Sequence, residues 1–366
     1  MLIIDSHLDL GMNALMWNRD LTLPVAEIRR REKGMAGKGR GANTVSVPEL
    51  QRGRIALALG TVLARTGGSP SPNLPRYESA GIAYGMAQGQ LAYYRFLQSQ
   101  GLLRLIGNRQ ELDTHWQQWG EWESRQAQVP TAATDRVPPP GLIVTMEGAD
   151  SISSPEQVQS WWNEGLRVIG MTHYQESLYA HGTGSEGGLK EAAKPLLREM
   201  RRLGMILDVT HLADESFWQA MDQWDGPVLA SHNNCRELVP GQRQFSDEQL
   251  KAIIERGGVV GCALDAWMLY PGWVRGETSP NVVSLDALVD HIAHICELSG
   301  DTRHAAIGTD LDGGFGTEQT PRDLDTIADL QKIPKMLSSR GFGEGDIAAV
   351  MHGNWLTFLC SHLPRG

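Results

Sequence analysis

One pattern recurs along most of this chain: a short apolar run, a polar turn and then a stretch with helical periodicity. Apolar runs of this kind are typical of parallel strands, because crossover helices cover both faces of such a sheet. Eight strands that alternate with helices favour a (β/α)8 TIM barrel of the α/β class over an open sheet. The predicted strands are Leu2–Asp5, Ile55–Leu63, Leu142–Met146, Arg167–Met171, Met205–Val209, Val228–Ala230, Val259–Ala263 and Ala305–Gly308.

Local signals mark several of the helices between these strands. Ser154 and Ser246 begin two of them, since a serine hydroxyl can accept a hydrogen bond from the first helical turn. A third helix covers residues 192–203 and a fourth covers residues 284–299, and a glycine follows each of them. Glycine readily adopts the left-handed conformation that ends a helix. The first three strand–helix units carry long insertions, in which the helices are harder to delimit.

Three segments are interpreted as irregular. Residues 29–41 are basic and glycine-rich, and in so acidic a chain they favour a solvated surface loop over a nucleic-acid site. Residues 67–75 are rich in Gly, Ser and Pro and are predicted to form another loop. Residues 125–141 include three consecutive prolines and are interpreted as a stiff connector. Because no sharp boundary or repeat is visible, we predict a single barrel domain over residues 1–366.

Composition limits the compartment and the partners. The contents of 41% hydrophobic and 21% charged residues are typical of a globular enzyme, and the net charge of −10 disfavours nucleic-acid and anionic-membrane binding. The four cysteines are scattered without a CxxC motif, which is typical of reduced thiols. The first residues lack the basic and apolar regions of a signal peptide. We therefore predict a cytoplasmic protein with a small-molecule substrate, no nucleic-acid partner and no membrane partner, and leave a homodimer open.

Side chains that can bind metals or move protons follow six of the eight predicted strands. In a parallel barrel, the carboxyl ends of all strands open on one face. We therefore expect these side chains to converge at one mouth of the barrel: His7 and Asp9, Glu147, His173, His211, His232 and Asp310.

A centre for two metal ions accounts for most of these side chains. His7 and Asp9 lie on the same side of a strand because strand side chains alternate, so both can bind one ion. Glu147 ends an apolar strand, where a carboxylate is costly to bury unless it is paired or metal-bound, and its two oxygens can bridge two ions. His211 and His232 offer imidazole nitrogens, which suit zinc. Each residue alone is more typical of a structural role, but their common register favours the metal centre.

Asp310 follows the last predicted strand in the run Gly-Thr-Asp-Leu-Asp-Gly. A carboxylate beside a metal-bound hydroxide can take its proton and pass it to the leaving amine. Asp312 in the same run is interpreted as a turn or supporting residue, because the other ligands of an EF-hand calcium loop are absent. His291 and His294 lie on one predicted helix and are assigned to its surface or to a contact between helices.

Seven motifs occur in order along the chain: Asp-Ser-His7-Leu-Asp9, Glu147-Gly, Met-Thr-His173, Asp-Val-Thr-His211-Leu, Ala-Ser-His232, Arg243 and Gly-Thr-Asp310-Leu-Asp-Gly. As a set, they resemble the membrane (renal) dipeptidase family of the metal-dependent amidohydrolase superfamily. The resemblance implies a (β/α)8 barrel with a binuclear zinc centre. It also implies an enzyme that hydrolyses the amide bond of dipeptides through a metal-bridging hydroxide.

The resemblance further implies a role for each of these side chains. His173 would polarise the scissile carbonyl and stabilise the oxyanion. Asp310 would shuttle the proton and meet the substrate amino group, and Arg243 would clamp the C-terminal carboxylate. The implied zinc ligands are His7 and Asp9 on the first ion, His211 and His232 on the second, and Glu147 bridging both.

Three departures from the family pattern bear on the substrate. Glu176 stands where the family usually has Asn, Asn233 stands where it has Ser, and Gln244 stands where it has Asn. The proposed metal ligands are unaffected. Glu176 keeps open an alternative substrate class of N-acyl amino acids, lactams or other carboxylate-bearing amides. A barrel used only for binding is disfavoured, because buried unpaired acids would be costly to keep.

Overall fold

Parallel strands form the centre of the molecule in a computed structural model that describes residues 1–68, 74–128 and 136–366. All eight predicted strands are present, and one short strand joins them. The strands are β1 (Ile3–Leu8), β2 (Ile55–Leu63), β3 (Arg104–Leu105), β4 (Gly141–Glu147), β5 (Leu166–Gly170), β6 (Ile206–Asp208), β7 (Val228–Leu229), β8 (Val260–Cys262) and β9 (Ala305–Ile307).

Helices surround these strands and cover their outer faces. They are α1 (Leu10–Met16), α2 (Val25–Glu32), α3 (Val47–Arg52), α4 (Ala80–Ser99), α5 (Arg109–Gln128), α6 (Val158–Asn163), α7 (Ala193–Leu203), α8 (Asp214–Gln223), α9 (Asp247–Glu255), α10 (Asp286–Ser299), α11 (Ile333–Ser339), α12 (Glu344–Ala348) and α13 (Asn354–His362). No helix within the described ranges is both long and apolar enough to cross a bilayer.

The strands form a curled parallel sheet, so that the molecule has a mixed α/β fold with a half-barrel at its centre. The sheet runs β1-β2-β4-β5-β6-β7 with β3 beside β4, and β8 pairs with β9 separately. A bridge between Ala230 and Val260 connects the end of β7 to β8. Among the described residues, no ladder joins β9 to β1, so the predicted closure into a full barrel is not confirmed.

Close packing of β1, β8 and β9 depends on two glycines. A Cβ added at Gly261 or Gly308 would lie 2.2 or 1.9 Å from the carbonyl oxygen of Ser231, closer than atoms can approach. The same two positions face the hydroxyl of Ser6, which donates to the carbonyl oxygens of Ser231 and Ile307. A side chain on β1 therefore connects the first strand to the last strands of the chain without a backbone ladder.

Three of the four predicted signals at helix ends are confirmed, whereas the hydroxyl of Ser154 makes no capping hydrogen bond. Ser246 and Gln249 form a reciprocal capping box at the start of α9, in which the serine side chain accepts from the Gln249 N–H. Gly204 and Gly300 follow α7 and α10 with φ of 68° and 75°, the left-handed region that ends helices. Ser154 precedes a 3₁₀ turn that leads into α6.

Two of the segments predicted to be irregular are partly helical. Residues 29–32 belong to α2, because Val25 and Ile28 bury one face of that helix while Arg30 and Arg31 stay exposed. The connector predicted over residues 125–141 begins later, since α5 continues to Gln128. Residues 129–135 of this connector and residues 69–73 of the predicted loop lie outside the described residues.

Candidate metal centre

His7 lies at the middle of one half of the predicted site. It lies near the end of β1, and its Nε2 atom is 3.6 Å from an Asp9 carboxylate oxygen and 3.6 Å from Glu147 Oε2. The same nitrogen is 3.8 Å from Asp310 Oδ1, which comes from the loop after β9. The structure therefore brings together four residues whose positions in the sequence span the whole chain.

Glu147 connects this half of the site to a second one. While its Oε2 atom faces His7, its Oε1 atom is 3.2 Å from His211 Nε2 and 3.3 Å from His232 Nε2. The two histidine nitrogens are 3.2 Å apart. His173 is slightly farther away, with Nε2 at 3.9 Å from Glu147 Oε1. One carboxylate at the end of β4 thus separates two clusters of nitrogen and oxygen ligands.

The unsatisfied atoms of these clusters fit metal ions. Three buried atoms of these two clusters have no hydrogen-bond partner: His7 Nε2, Asp9 Oδ1 and Glu147 Oε1. Buried polar atoms are normally paired, so such a concentration at one place needs an explanation. Imidazole nitrogens and carboxylate oxygens are ligands of zinc, so metal ions bound at the two clusters would satisfy these atoms. Three overlapping sets of ligand atoms, each within 4.8 Å, are present in the described residues.

Hydroxyl groups orient the two histidines of the second cluster. The Thr183 hydroxyl is 2.9 Å from His211 Nδ1, and the Ser231 hydroxyl is 2.8 Å from His232 Nδ1. These contacts fix each ring so that its Nε2 atom points toward Glu147, as outer hydrogen bonds do for metal-binding histidines. His211 also has a φ of 68°, a backbone conformation that non-glycine residues adopt rarely and mainly where the surroundings impose it.

Two aspartates that the sequence analysis did not select, the buried Asp5 and the partly buried Asp208, brace the loops of the site. Asp5 on β1 accepts hydrogen bonds from the His7 N–H at 3.2 Å and from the Thr309 N–H and hydroxyl at 2.9 and 2.6 Å. Asp208 at the end of β6 accepts from the Thr210 and Ser231 N–H groups at 3.0 and 3.1 Å. Each aspartate therefore connects two of the loops that carry the candidate ligands.

Asp312 supports the loop of Asp310 from another direction. One of its carboxylate oxygens accepts from the N–H and the hydroxyl of Thr44, and the other accepts from the Val45 N–H at 3.0 Å. Arg19 lies 3.7 Å from the same carboxylate and pairs with the buried Glu32 at 2.9 Å. The insertion after β1 is thus anchored to the site, which agrees with the supporting role predicted for Asp312.

Burial and charge shift the pKa values within the centre in opposite directions. Burial alone would lower the pKa of His7, but the attraction of Glu147 and Asp9 overrides it and raises the pKa from 6.5 to about 10. Burial raises the pKa of Glu147 from 4.5 to about 8 and the pKa of Asp310 well above 3.8. In the remaining histidines, burial lowers the pKa well below 6.5 and favours the neutral form that binds metals: His173, His211 and His232.

The metal-free protein is therefore expected to lose stability as the pH rises from about 6.5 to about 10. The raised pKa of His7 contributes stability that is complete below 6.5 and is lost as the pH passes about 10. The raised pKa of Glu147 acts in the same direction, because the neutral acid stabilises the fold and is lost as the pH passes about 8. Urea unfolding of the chelated protein measures the decline. A His7→Gln variant should decline less steeply, and an equal decline would contradict the role of His7.

Arg243 is buried beside the centre, with its guanidinium already engaged. It donates to Asn233 Oδ1 at 2.6 Å and to the His232 carbonyl oxygen at 2.8 Å. Among the described residues, it is not one of those that line the cavity next to the metal centre. The carboxylate clamp inferred for Arg243 stays a prediction. Glu176 is exposed and pairs with Lys190 at 2.8 Å, so its carboxylate is directed to a surface ion pair.

A cavity of about 440 Å³ opens beside the metal centre. Its lining includes Asp9, Glu147 and Asp310 together with three of the histidines. It also includes charged and polar side chains that the sequence analysis missed: Lys38, Arg65, Tyr174, Asp265 and Arg275. Lys38 belongs to the basic segment that was predicted to be a solvated surface loop. The described structure places this part of the segment at the mouth of the site.

Comparisons with known proteins agree on one family. A model of the membrane dipeptidase family, peptidase family M19, matches residues 131–360, more than half of the chain. Dipeptidase aclJ of Aspergillus oryzae is 29% identical over 236 residues, which are 62% of this chain and 54% of that protein. An uncharacterized dipeptidase of Schizosaccharomyces pombe is 28% identical over 58% of this chain and 51% of its own length. The chain thus spans about half the length of these relatives.

Solved structures show the same fold over the full length of the chain. The structure of dipeptidase AC, a metallopeptidase of family M19, superposes with a TM-score of 0.76 and 21% identity over 100% of this chain and 99% of its own. The structure of a metallopeptidase from Rhodobacter sphaeroides, liganded with a phosphinate mimic of the dipeptide L-Ala-D-Ala, superposes with a TM-score of 0.75 and 21% identity over 99% of each chain. With the family model and the fold in agreement, the chain belongs to the membrane dipeptidase family, peptidase family M19.

Proposed function

We propose that this protein is a metal-dependent dipeptidase with two zinc ions. The observation that carries the proposal is the position of Glu147, whose two carboxylate oxygens face separate ligand clusters at 3.2–3.6 Å. Membership of the membrane dipeptidase family supports the same activity. Two ions about 3.5–4 Å apart with a shared carboxylate are a common hydrolytic arrangement.

The proposed ligand sets follow the two sides of Glu147. His7 and Asp9 would hold the first ion, and His211 and His232 would hold the second, with Glu147 shared by both. The hydroxyl contacts to both histidines of the second set support this assignment, because they leave each Nε2 atom directed inward. When bound, the ions would lower the pKa of the attacking water and polarise the peptide carbonyl.

Asp310 and His173 are proposed to act on the reacting atoms. Asp310 lies beside His7, lines the cavity and has a raised pKa, so its carboxylate is suited to accept a proton and pass it to the leaving amine. It would also meet the substrate amino group. His173 lines the same cavity and is neutral, so its N–H can donate to the oxyanion that develops on the carbonyl oxygen.

Arg243→Lys is expected to reduce kcat/KM for free dipeptides if Arg243 binds the C-terminal carboxylate. Lysine cannot reproduce the two parallel hydrogen bonds of a guanidinium, which are worth about 1.5–3 kcal/mol for a charged group, or roughly 10–150-fold. A C-terminally amidated dipeptide should lose much less, because it lacks the carboxylate. Equal losses for both substrates would instead indicate that Arg243 only holds Asn233 and the His232 carbonyl.

A substrate panel tests the proposed reaction. We expect zinc-loaded protein to hydrolyse dipeptides faster than N-acyl amino acids and lactams, the alternative class that Glu176 kept open. The exposed ion pair of Glu176 with Lys190 supports the dipeptide choice, because the carboxylate that motivated the alternative is engaged outside the cavity. The panel includes an L-Ala-D-Ala arm, since the Rhodobacter sphaeroides relative was liganded with a mimic of that dipeptide. Hydrolysis of N-acyl amino acids alone would overturn the proposal.

The architecture around the site is part of the proposal. We infer one domain over residues 1–366, closed into a (β/α)8 barrel, and the contacts of Ser6 with Ser231 and Ile307 support this closure. The contact of Trp355 Nε1 with the Ile307 carbonyl oxygen at 2.9 Å supports one domain, because it packs α13 on the last strand. A cytoplasmic location, the absence of nucleic-acid and membrane partners, and a homodimer stay predictions from the sequence.

A further inference from the structure

Cationic side chains line the part of the cavity that the metal centre does not use. Apart from the acids of the centre, the charged residues found in its described lining are Lys38, Arg65, Arg275 and Asp265. This wall therefore has more positive than negative groups, in a chain whose net charge is −10. Such a local reversal of sign attracts anionic ligands to the cavity.

Arg275 is one side chain away from His173, the proposed partner of the oxyanion, and from the candidate metal ligand His211. Its guanidinium interacts with the Tyr174 hydroxyl and lies 4.8 Å from the ring centroid of Trp267. The Tyr174 ring is in turn 4.8 Å from the His173 ring and 5.0 Å from the His211 ring. A group held by Arg275 would therefore lie within one side-chain length of the reacting bond.

Lys38 brings a second positive charge to the same region. Its ammonium is 6.0 Å from the Phe315 ring centroid and interacts electrostatically with Asp265, Arg275 and Asp310. Both cations come from insertions outside the strands, Lys38 from the segment after α2 and Arg275 from the segment after β8. Arg275 therefore lies outside the loops that carry the metal ligands, whereas Lys38 belongs to the same connection between β1 and β2 as Asp9.

Asp265 lines the cavity beside these cations, and Glu318 and Asp310 also lie near Lys38. Asp265 is 6% exposed, and its Oδ1 atom accepts hydrogen bonds from Gln319 Nε2 at 2.6 Å and from the Trp267 N–H at 3.4 Å. One carboxylate oxygen is thus held by neighbouring groups of the chain.

We propose that the cavity selects dipeptides with an acidic side chain, whose carboxylate is bound by Arg275 and Lys38. This inference rests on the proposed dipeptidase function. An ordinary dipeptide has one amino group and one terminal carboxylate, for which Asp310 and Arg243 are the predicted partners. The cations of the opposite wall then match an additional anionic group, and a guanidinium suits a planar carboxylate.

The test compares pairs of dipeptides that differ only in side-chain charge. Ala-Glu is measured against Ala-Gln, and Glu-Ala against Gln-Ala, so that the two arms show which residue of the substrate carries the acid. We expect kcat/KM to be about tenfold or more higher for the acidic member of at least one pair, as a charge-assisted hydrogen bond predicts. Free glutamate should likewise inhibit at lower concentration than free glutamine.

Substitution of Arg275 tests whether this side chain binds the acidic group of the substrate. Arg275→Gln should reduce the ratio of acidic to neutral kcat/KM by about tenfold, and Arg275→Glu should shift the preference toward Ala-Lys. Arg340→Gln is a matched control, because Arg340 is a half-exposed arginine paired with Asp290 away from the cavity. It should leave the ratio unchanged.

The outcomes separate this inference from the proposed function. Hydrolysis of neutral and acidic dipeptides at equal kcat/KM would overturn the acidic preference and leave the dipeptidase assignment intact. A preference for acidic substrates that survives in both Arg275 variants would also overturn the inference. Failure of the zinc-loaded protein to hydrolyse any dipeptide in either set would overturn the proposed function and the preference with it.

Discussion

Replacing Glu147 with alanine is expected to abolish dipeptide hydrolysis and to remove metal from both positions of the centre. The reason is geometric: one oxygen of Glu147 faces His7 at 3.6 Å, and the other faces His211 and His232 at 3.2 and 3.3 Å. Loss of this side chain takes a ligand from each cluster at once. Elemental analysis of the purified variant and its kcat with a good dipeptide substrate measure the effect.

Asp9→Ala and Glu176→Ala are the matched comparisons for this variant. Asp9 lies on the His7 side of the centre, 3.6 Å from His7 Nε2, so its loss should chiefly empty the first position. Glu176 is an exposed carboxylate paired with Lys190, so its loss should leave the metal content unchanged. Two equivalents of metal and normal turnover in Glu147→Ala would show that Glu147 is not the bridging ligand.

Asp310→Asn is expected to retain the metals and to lower kcat by about 10²–10⁴-fold, the usual contribution of general acid–base catalysis. Asparagine has nearly the same shape as aspartate but cannot accept a proton. The Asp310 oxygen is 3.8 Å from His7 Nε2, within the centre but next to the open cavity. Steady-state kinetics and metal content are measured on the same preparation.

The two readouts distinguish a proton shuttle from a structural role. A variant that keeps its metals and its melting temperature but loses turnover supports the shuttle. Near-normal kcat in Asp310→Asn would remove Asp310 from the mechanism. A variant that loses both its metal and its turnover would instead indicate that Asp310 is a metal ligand. The position of Asp310 beside His7 and Asp9 is compatible with that role.

The strands and the convergence of the site could be predicted because they follow from short local patterns. Buried parallel strands are continuous apolar runs, and β2 and β4 are buried at every position. Because the carboxyl ends of such strands lie at the same face, polar residues that follow them predict a site even before any contact between these residues is known. This reasoning was sufficient to bring His7, Glu147 and His232 to one place, although they lie far apart in the sequence.

The elements that were missed depend on long-range packing. Helices α4 and α5 have 20 residues each, yet their apolar positions are interrupted by polar ones that contact distant parts of the chain. Gln90, for example, is fully buried in α4 and exchanges hydrogen bonds with the backbone of Leu63 on β2. A glutamine in such a position weakens the apolar periodicity from which a helix is predicted.

The supporting residues of the site could be suspected only in part from the sequence. Asp5 and Asp208 are acids within or at the end of apolar strands, and that signal was applied to Glu147 but not to them. Lys38 and Arg275 gave no such signal, because they lie in insertions whose path is set by tertiary contacts such as those of Arg19 with Glu32. The cationic wall is therefore a property of the folded chain alone.

The dependence of dipeptide hydrolysis on added zinc tests the two-ion centre most directly. Protein freed of metal with a chelator is titrated with zinc, and the rate with one good dipeptide is measured after each addition. We expect the rate to rise until about two equivalents per chain are bound and then to stay constant, as a binuclear centre requires. Full activity at one equivalent, or undiminished hydrolysis by the metal-free protein, would contradict a centre in which Glu147 bridges two ions.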